Sequence, residues 1–289
     1  MSSTTPSPGK GARPSKNERR DAAREQARVL REQQARRDKR NKIIAIGGLA
    51  AAVVTLVVVA ALIIIPSLGP GIAYTADDAD SVTPADVTAP STAQDNGAIP
   101  VGQEGVAGEA AAADDVVVSV YFDYMCPYCG QFEAANDAEL AQLREAGGVT
   151  VEYHPISFLD AQSAGGEYST RAGNAAAVVA DQDPEHFAAF SSALFANQPE
   201  EGTKGLSDEE IADLATEAGV PDDVVEAFTA TAPDAEWRTF APWLAAATNQ
   251  ASTDLGGIST PTVLIDGEPF TGDLYTAGPL TEAVEAAKG

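Results

Sequence analysis

Phe122-Asp123-Tyr124-Met125-Cys126-Pro127-Tyr128-Cys129-Gly130-Gln131-Phe132-Glu133 decides how this 289-residue chain is read. It follows Val116-Val117-Val118-Ser119-Val120-Tyr121, a β-branched and aromatic run of the kind that forms a buried strand. Beyond it, Cys129, Phe132, Leu140 and Leu143 recur at helical spacing and share one face. The cysteine pair therefore falls where a strand passes into a helix. Cys126 takes the N-cap and Pro127 the first helical position, where a missing N–H costs nothing. The free amides of Tyr128 and Cys129 then face the Cys126 sulfur, and the helix macrodipole adds positive potential. Both favour thiolate over thiol, so Cys126 is expected to attack. Cys129, on the apolar face, is expected to be buried and to resolve the mixed disulfide from inside. The helix end is worth ~0.3–2 kcal/mol, or about one pKa unit. Cys126 should thus titrate below a free cysteine but above the low extreme of ~3.5 for such thiols. Asp123 and Glu133, read as exposed carboxylates nearby, are expected to oppose this only weakly.

These are the only two cysteines, so a framework of structural bridges is excluded. Two thiols and two distant histidines do not make a tetrahedral zinc site. A structural bridge across four residues closes too small a loop to stabilise much. Copper held by the two thiolates with Met125 as a third ligand is a further reading, against one in which Met125 only packs. His154 and His186 have no partner visible in the sequence and read as structural.

Charge is divided unevenly outward from this site. Residues 1–42 hold 13 of the 18 Lys and Arg and five of the 43 Asp and Glu, a net of +8; everything after residue 65 carries −33. Between them Ile43 to Ile65 is 23 residues without a charge, interrupted only by Gly47, Gly48 and Thr55. At ~1.5 Å per residue such a helix crosses a ~30 Å hydrocarbon core. A signal-peptide core is usually ~7–15 residues, so an anchor fits better, although Gly71-Ile72-Ala73 keeps cleavage open. The basic segment is retained in the cytoplasm, which places the rest outside, at the cell membrane in a single pass. The acidic outer region would repel nucleic-acid backbones.

After the anchor, Pro66, Pro70, Pro84 and Pro90 stand among Ala, Thr, Asp, Ser and Gly, with little to bury, and read as a tether. A short strand near Ala98–Val101 marks the start of the folded part. Val149 to Ile156 reads as a second long strand. Residues 166–255 are helical in pattern, with a capping box at Ser207-Asp208-Glu209-Glu210 and Pro184, Pro221 and Pro233 at helix starts. Thr262 to Ile265, then Asp266-Gly267, reads as a strand entering a hairpin, and Thr281 to Lys288 as a closing helix. The domains are thus 1–42 basic cytoplasmic segment, 43–65 anchor, 66–97 disordered extracytoplasmic linker and 98–289 catalytic domain.

Two segments resemble one known family. Residues 122–133, with Cys-Pro-x-Cys followed by x-Gln-Phe-Glu, are similar to the active-site segment of DsbA-like thioredoxin-fold thiol:disulfide oxidoreductases of the membrane-anchored actinobacterial type. Gly257-Ile258-Ser259-Thr260-Pro261-Thr262-Val263-Leu264-Ile265-Asp266-Gly267 is similar to the family's cis-proline loop and following strand. The resemblance implies an α/β, thioredoxin-like fold with a helical insertion at about 166–255. It puts Pro261 in the cis-proline role and leaves the Thr260 backbone to contact substrate. Otherwise Pro261 is an edge-strand or turn proline. It implies an oxidase that introduces disulfides into exported, unfolded, cysteine-containing proteins, with the Cys126–Cys129 disulfide as its redox group and neither cofactor nor metal. A membrane reoxidant of the DsbB or vitamin K epoxide reductase type and the lipid bilayer are the implied partners. A reductase or isomerase, a donor for cytochrome maturation, and a metal- or peptide-binding module without turnover are the alternatives. Tyr128 stands where founding members carry His, and Cys-Pro-Tyr-Cys also occurs in glutaredoxins, which lack an anchor and a helical insertion. Val120 stands where those members have Glu. Asp123 is then either the acid for proton transfer to Cys129 or a solvated residue.

Overall fold

The computed structural model describes residues 82–233 and 237–289. The basic segment, the anchor at 43–65 and the linker up to residue 81 lie outside the described residues. Among the described residues no helix is long and apolar enough to cross a membrane.

Five strands form one sheet in the order β1-β3-β2-β4-β5. They are β1 (Ile99–Val101), β2 (Val116–Phe122), β3 (Val149–Pro155), β4 (Thr262–Ile265) and β5 (Glu268–Pro269). β2 is central: it pairs parallel with β3 from Val116↔Val149 to Phe122↔Pro155, and antiparallel with β4. A strand with neighbours on both edges and cover on both faces needs a near-continuous apolar run, and Val116 to Phe122 supplies it with Ser119 as its one polar residue. The parallel pairing needs a crossover, provided by α1 (Pro127–Glu145).

Helices α2 (Tyr168–Gln182), α3 (Phe187–Ala196), α4 (Asp208–Glu217), α5 (Asp222–Glu226) and α6 (Ala241–Asp254) make up the block between β3 and β4, and α7 (Pro279–Lys288) closes the chain. α2 is the core of this block, buried on every side from Tyr168 to Ala180. At Gly173 an added Cβ would meet Leu244 Cδ2 at 2.9 Å, so the small residue lets α2 and α6 approach closely. The capping box forms as read: Ser207 Oγ accepts from the Glu210 amide, and the Glu210 carboxylate accepts from the Ser207 amide.

Three expectations need correcting. The linker does not extend to residue 97, because its last part packs on the domain. Val87, Ala89 and Ala93 lie against the core, the Ser91 amide donates to Asp181 (2.7 Å), and the Thr92 hydroxyl donates to the Ala180 carbonyl (3.0 Å). Small residues seated by backbone contacts leave no hydrophobic signature in the sequence. Pro233 lies in a turn, with the residues that would follow it in a helix outside the described ones, and Pro184 precedes α3 by three residues. Both histidines have partners: His154 is stacked on Tyr121 at 4.0 Å with Nε2 3.7 Å from Glu152, and His186 Nδ1 lies 2.8 Å from Asp183.

Candidate active site

The turn from β2 into α1 is built by short-range bonds that its sequence dictates. The Asp123 carboxylate accepts the Met125 amide (2.8 Å) and the Asp123 carbonyl accepts the Cys126 amide (3.0 Å), which tightens residues 123–126 into a turn. Cys126 is the N-cap residue, in extended conformation, and Pro127 opens the helix. The Cys126 carbonyl then accepts from the Cys129 and Gly130 amides. Cys129, Phe132, Leu140 and Leu143 line the buried face, as their spacing requires.

Both cysteines are free thiols and both are buried, Cys126 at 5 % exposure and Cys129 at 1 %. The Cys126 sulfur does not cap the helix. As a thiol it is a donor, and it turns to the Thr260 carbonyl at 3.4 Å. That carbonyl belongs to the loop before β4, and the Thr260–Pro261 peptide is cis. The structure thus brings Cys126, Cys129, Thr260 and Pro261 to one place from segments some 130 residues apart. Tyr128 stands out from the turn at 58 % exposure, and Met125 is packed in the core.

The electrostatics separate the two thiols. The neighbouring Cys129 thiol is the largest cause that brings Cys126 down from 9.0 to about 6; burial opposes it, and Thr260 and the amides of Cys129 and Tyr128 assist. The helix end therefore contributes, but it is not the leading cause. Burial, followed by the Cys126 sulfur, pushes Cys129 far above the ordinary thiol range. At neutral pH the pair holds one thiolate, on Cys126.

Asp123 is not a solvated residue. It is fully buried, and besides the Met125 amide its carboxylate accepts from the Leu159 amide (2.9 Å) and the Ser169 hydroxyl (2.6 Å). It ties the active-site turn to the segment after β3 and to α2. Burial raises it to about 7. Glu133 is likewise raised to about 7, by burial and then by Asp137; it accepts from Ser192 (2.9 Å) beside a cleft of about 270 Å³. Neither is the exposed carboxylate the sequence suggested.

Several site residues carry no local signal. The Gln198 amide donates to the Tyr124 carbonyl (2.9 Å) and the Cys126 carbonyl (2.8 Å), pinning the turn to the helical block. Its side chain fits because residue 130 is glycine, where an added Cβ would stand 2.5 Å from Gln198 Oε1. Tyr275, from the loop before α7, places its ring 6.0 Å from that of Tyr128. Among the described residues no group of three or more His, Cys, Asp or Glu side chains is placed to hold a metal ion.

Comparison with known proteins agrees with this arrangement. A thioredoxin family model matches residues 101–285, well over half of the chain. DsbA of Mycobacterium tuberculosis in its oxidised form is similar over 66% of this chain and 93% of its own, at 27% identity and a TM-score of 0.53. The reduced disulfide oxidoreductase DsbG of the same organism is similar over 66% of this chain and 88% of its own, also at 27% and 0.53. MdbA, a thiol-disulfide oxidoreductase from Actinomyces oris, shares the fold at 24% identity and a TM-score of 0.55 over 72% of this chain and 98% of its own. Among curated proteins, 106 residues are 37% identical to the serine/threonine-protein kinase PknE of M. tuberculosis, which is 35% of this chain but only 19% of that protein. With a redox pair at the head of its first long helix and the family model spanning its folded part, the chain belongs to the thioredoxin family and has the fold of the DsbA-like thiol–disulfide oxidoreductases.

Proposed function

We propose that the chain is an extracytoplasmic protein disulfide oxidase, held at the membrane by residues 43–65 and donating the Cys126–Cys129 disulfide to exported proteins. The observation that carries this is the asymmetry of the pair: the Cys129 thiol, the Thr260 side chain and the helix amides favour the thiolate at Cys126, while Cys129 stays a buried thiol. In the oxidised pair a client thiolate attacks Cys126 Sγ. The Cys126–Cys129 bond breaks, and its electron pair goes to Cys129, which takes up a proton. A second client thiolate then attacks the client sulfur of the mixed disulfide and expels Cys126 as thiolate. Two client thiols become one disulfide, and the pair ends two electrons reduced. With a pKa of about 6, Cys126 is a good leaving group at neutral pH, which favours this direction over client reduction. The redox group is the cysteine pair itself, with no other cofactor, and a membrane enzyme of the DsbB or vitamin K epoxide reductase type returns the electrons to the quinone pool. The basic segment and apolar run of the sequence support an outward-facing domain.

Equilibration of the pair against glutathione tests the direction. A potential nearer about −120 mV than about −270 mV supports the oxidase, and one at the thioredoxin end of that range would assign it to reduction.

A further inference from the structure

Among the described residues the exposed large apolar side chains are Tyr128, Phe158 and Tyr275, and two of these three stand together beside the cysteines. Tyr128, at 58 % exposure, lies between the two cysteines in sequence, and Tyr275 is 47 % exposed. Partial burial and then the Cys126 thiolate raise the Tyr275 hydroxyl, whose ring lies 6.0 Å from that of Tyr128. The loop that carries it is fastened to the same helix as the cysteines. The buried Asn136 amide donates to the Leu274 carbonyl (2.8 Å), and Glu139 accepts from the Gly278 amide (2.9 Å) and the Thr281 hydroxyl (2.5 Å). The two rings are thus preorganised with respect to the sulfurs, so a ligand bears little of the cost of ordering them.

The surroundings say what such a ring pair receives. Asp273 precedes the ring by two residues; its carboxylate accepts the Tyr275 amide at 2.8 Å, which with Thr276 holds it below the usual carboxylate range. From residue 82 onward the chain has five basic and 35 acidic side chains. Of those five, Arg144 is buried, Arg171 and Arg238 are paired with Asp208, Lys288 with Glu285, and Lys204 is exposed. Two tyrosine faces and a carboxylate in a strongly acidic domain make a site for a cation.

Resting on the exchange reading above, we infer that Tyr128, Tyr275 and Asp273 form a docking platform for a Lys or Arg side chain lying one or two residues from the client's cysteine. An extended client advances ~3.3 Å per residue, so such a side chain reaches the rings while its cysteine is at Cys126. The platform favours cysteines in basic sequence and disfavours those in acidic sequence.

Unstructured two-cysteine peptides carrying Lys, Gln or Glu beside one cysteine test this against the oxidised full-length protein, with alkylation quenching. The Lys peptide should react roughly two- to five-fold faster than the Gln peptide, the range of an exposed cation–π contact. The Glu peptide should be slowest, and the gap between Lys and Glu should narrow in 0.5 M NaCl. Tyr275→Leu should remove the Lys preference over Gln, and Tyr275→Phe should retain it. Equal rates for the three peptides, or a Lys preference that survives Tyr275→Leu, would overturn the platform and leave the exchange reading standing. Failure of all three peptides to react would overturn both.

Discussion

Replacing Cys129 by alanine removes the largest cause that holds Cys126 at about 6, and the consequence can be worked through. What remains to lower it is Thr260 and the helix amides, with burial still opposing them, and a helix end is worth ~0.3–2 kcal/mol, about one pKa unit. From the ordinary 9.0, the Cys126 thiol in Cys129→Ala should therefore titrate at roughly 8 or above, at least about two units over its present position. Thiolate is the reactive form, so the alkylation rate rises with pH through the pKa and levels off above it. A more basic thiolate is also intrinsically more nucleophilic, by roughly six- to tenfold for two units. The two effects nearly cancel at pH 7, where the native pair is about nine-tenths ionised and the variant about one-tenth. The profiles should therefore cross. Below pH 5 the variant should react about tenfold more slowly, and above pH 9 roughly six- to tenfold faster. Iodoacetamide alkylation across pH 4–10, with thiolate absorbance near 240 nm as a second reading, measures both limbs. Coincident profiles with a shared midpoint near 6 would refute the reasoning, because the helix end and Thr260 would then suffice without Cys129.

Cys126→Ser should abolish exchange and Cys129→Ser should accumulate mixed disulfides with clients on non-reducing gels; adducts formed through Cys129 would reverse the two roles. Gly130→Ala should displace Gln198 from the Tyr124 and Cys126 carbonyls and lower stability by about 1–3 kcal/mol. Adding Gln198→Ala should cost little more, and fully additive losses in urea denaturation would show the two positions to be independent. Asp123, raised to about 7 by burial, keeps its proton in the folded chain between about pH 4 and 7, where the unfolded chain has lost it. Stability should therefore fall as pH rises through that window, and Asp123→Asn should flatten the dependence. An unchanged slope in the variant would remove Asp123 from it.

The elements legible in the sequence are those whose signal is local. β2 was readable because a central strand covered on both faces is apolar over nearly its whole length, and α4 because Ser207 and Glu210 cap each other three residues apart. The join of β2 to α1 was readable because Pro127 can only open a helix there. The position of Thr260 and Pro261 beside Cys126 came from resemblance alone, since 134 residues separate the Thr260 carbonyl from the sulfur it faces. Gln198 and Tyr275 were invisible for a related reason: an amide 72 residues from the carbonyl it binds, and a tyrosine in a loop, look like any other until the chain folds. The seating of residues 84–97 was hidden by composition, because Ala, Thr and Pro can pack without a hydrophobic pattern.

The Cys126 value shows how a correct range can arise from causes the sequence misassigns. Read locally, the helix end lowers the thiol pKa and two exposed carboxylates resist weakly. In the folded chain the leading cause is the Cys129 thiol, and burial is what opposes. Asp123 and Glu133 are raised to about 7 by their own burial, so near neutral pH each is only partly charged. The repulsion they would exert on the Cys126 thiolate is reduced by the packing that encloses them. Burial thus has opposite effects on the thiolate at two removes: it penalises the Cys126 charge directly and suppresses the anions around it. The thiolate persists because a hydrogen-bonding thiol one helical turn away outweighs the first effect, and no basic side chain is needed at the site.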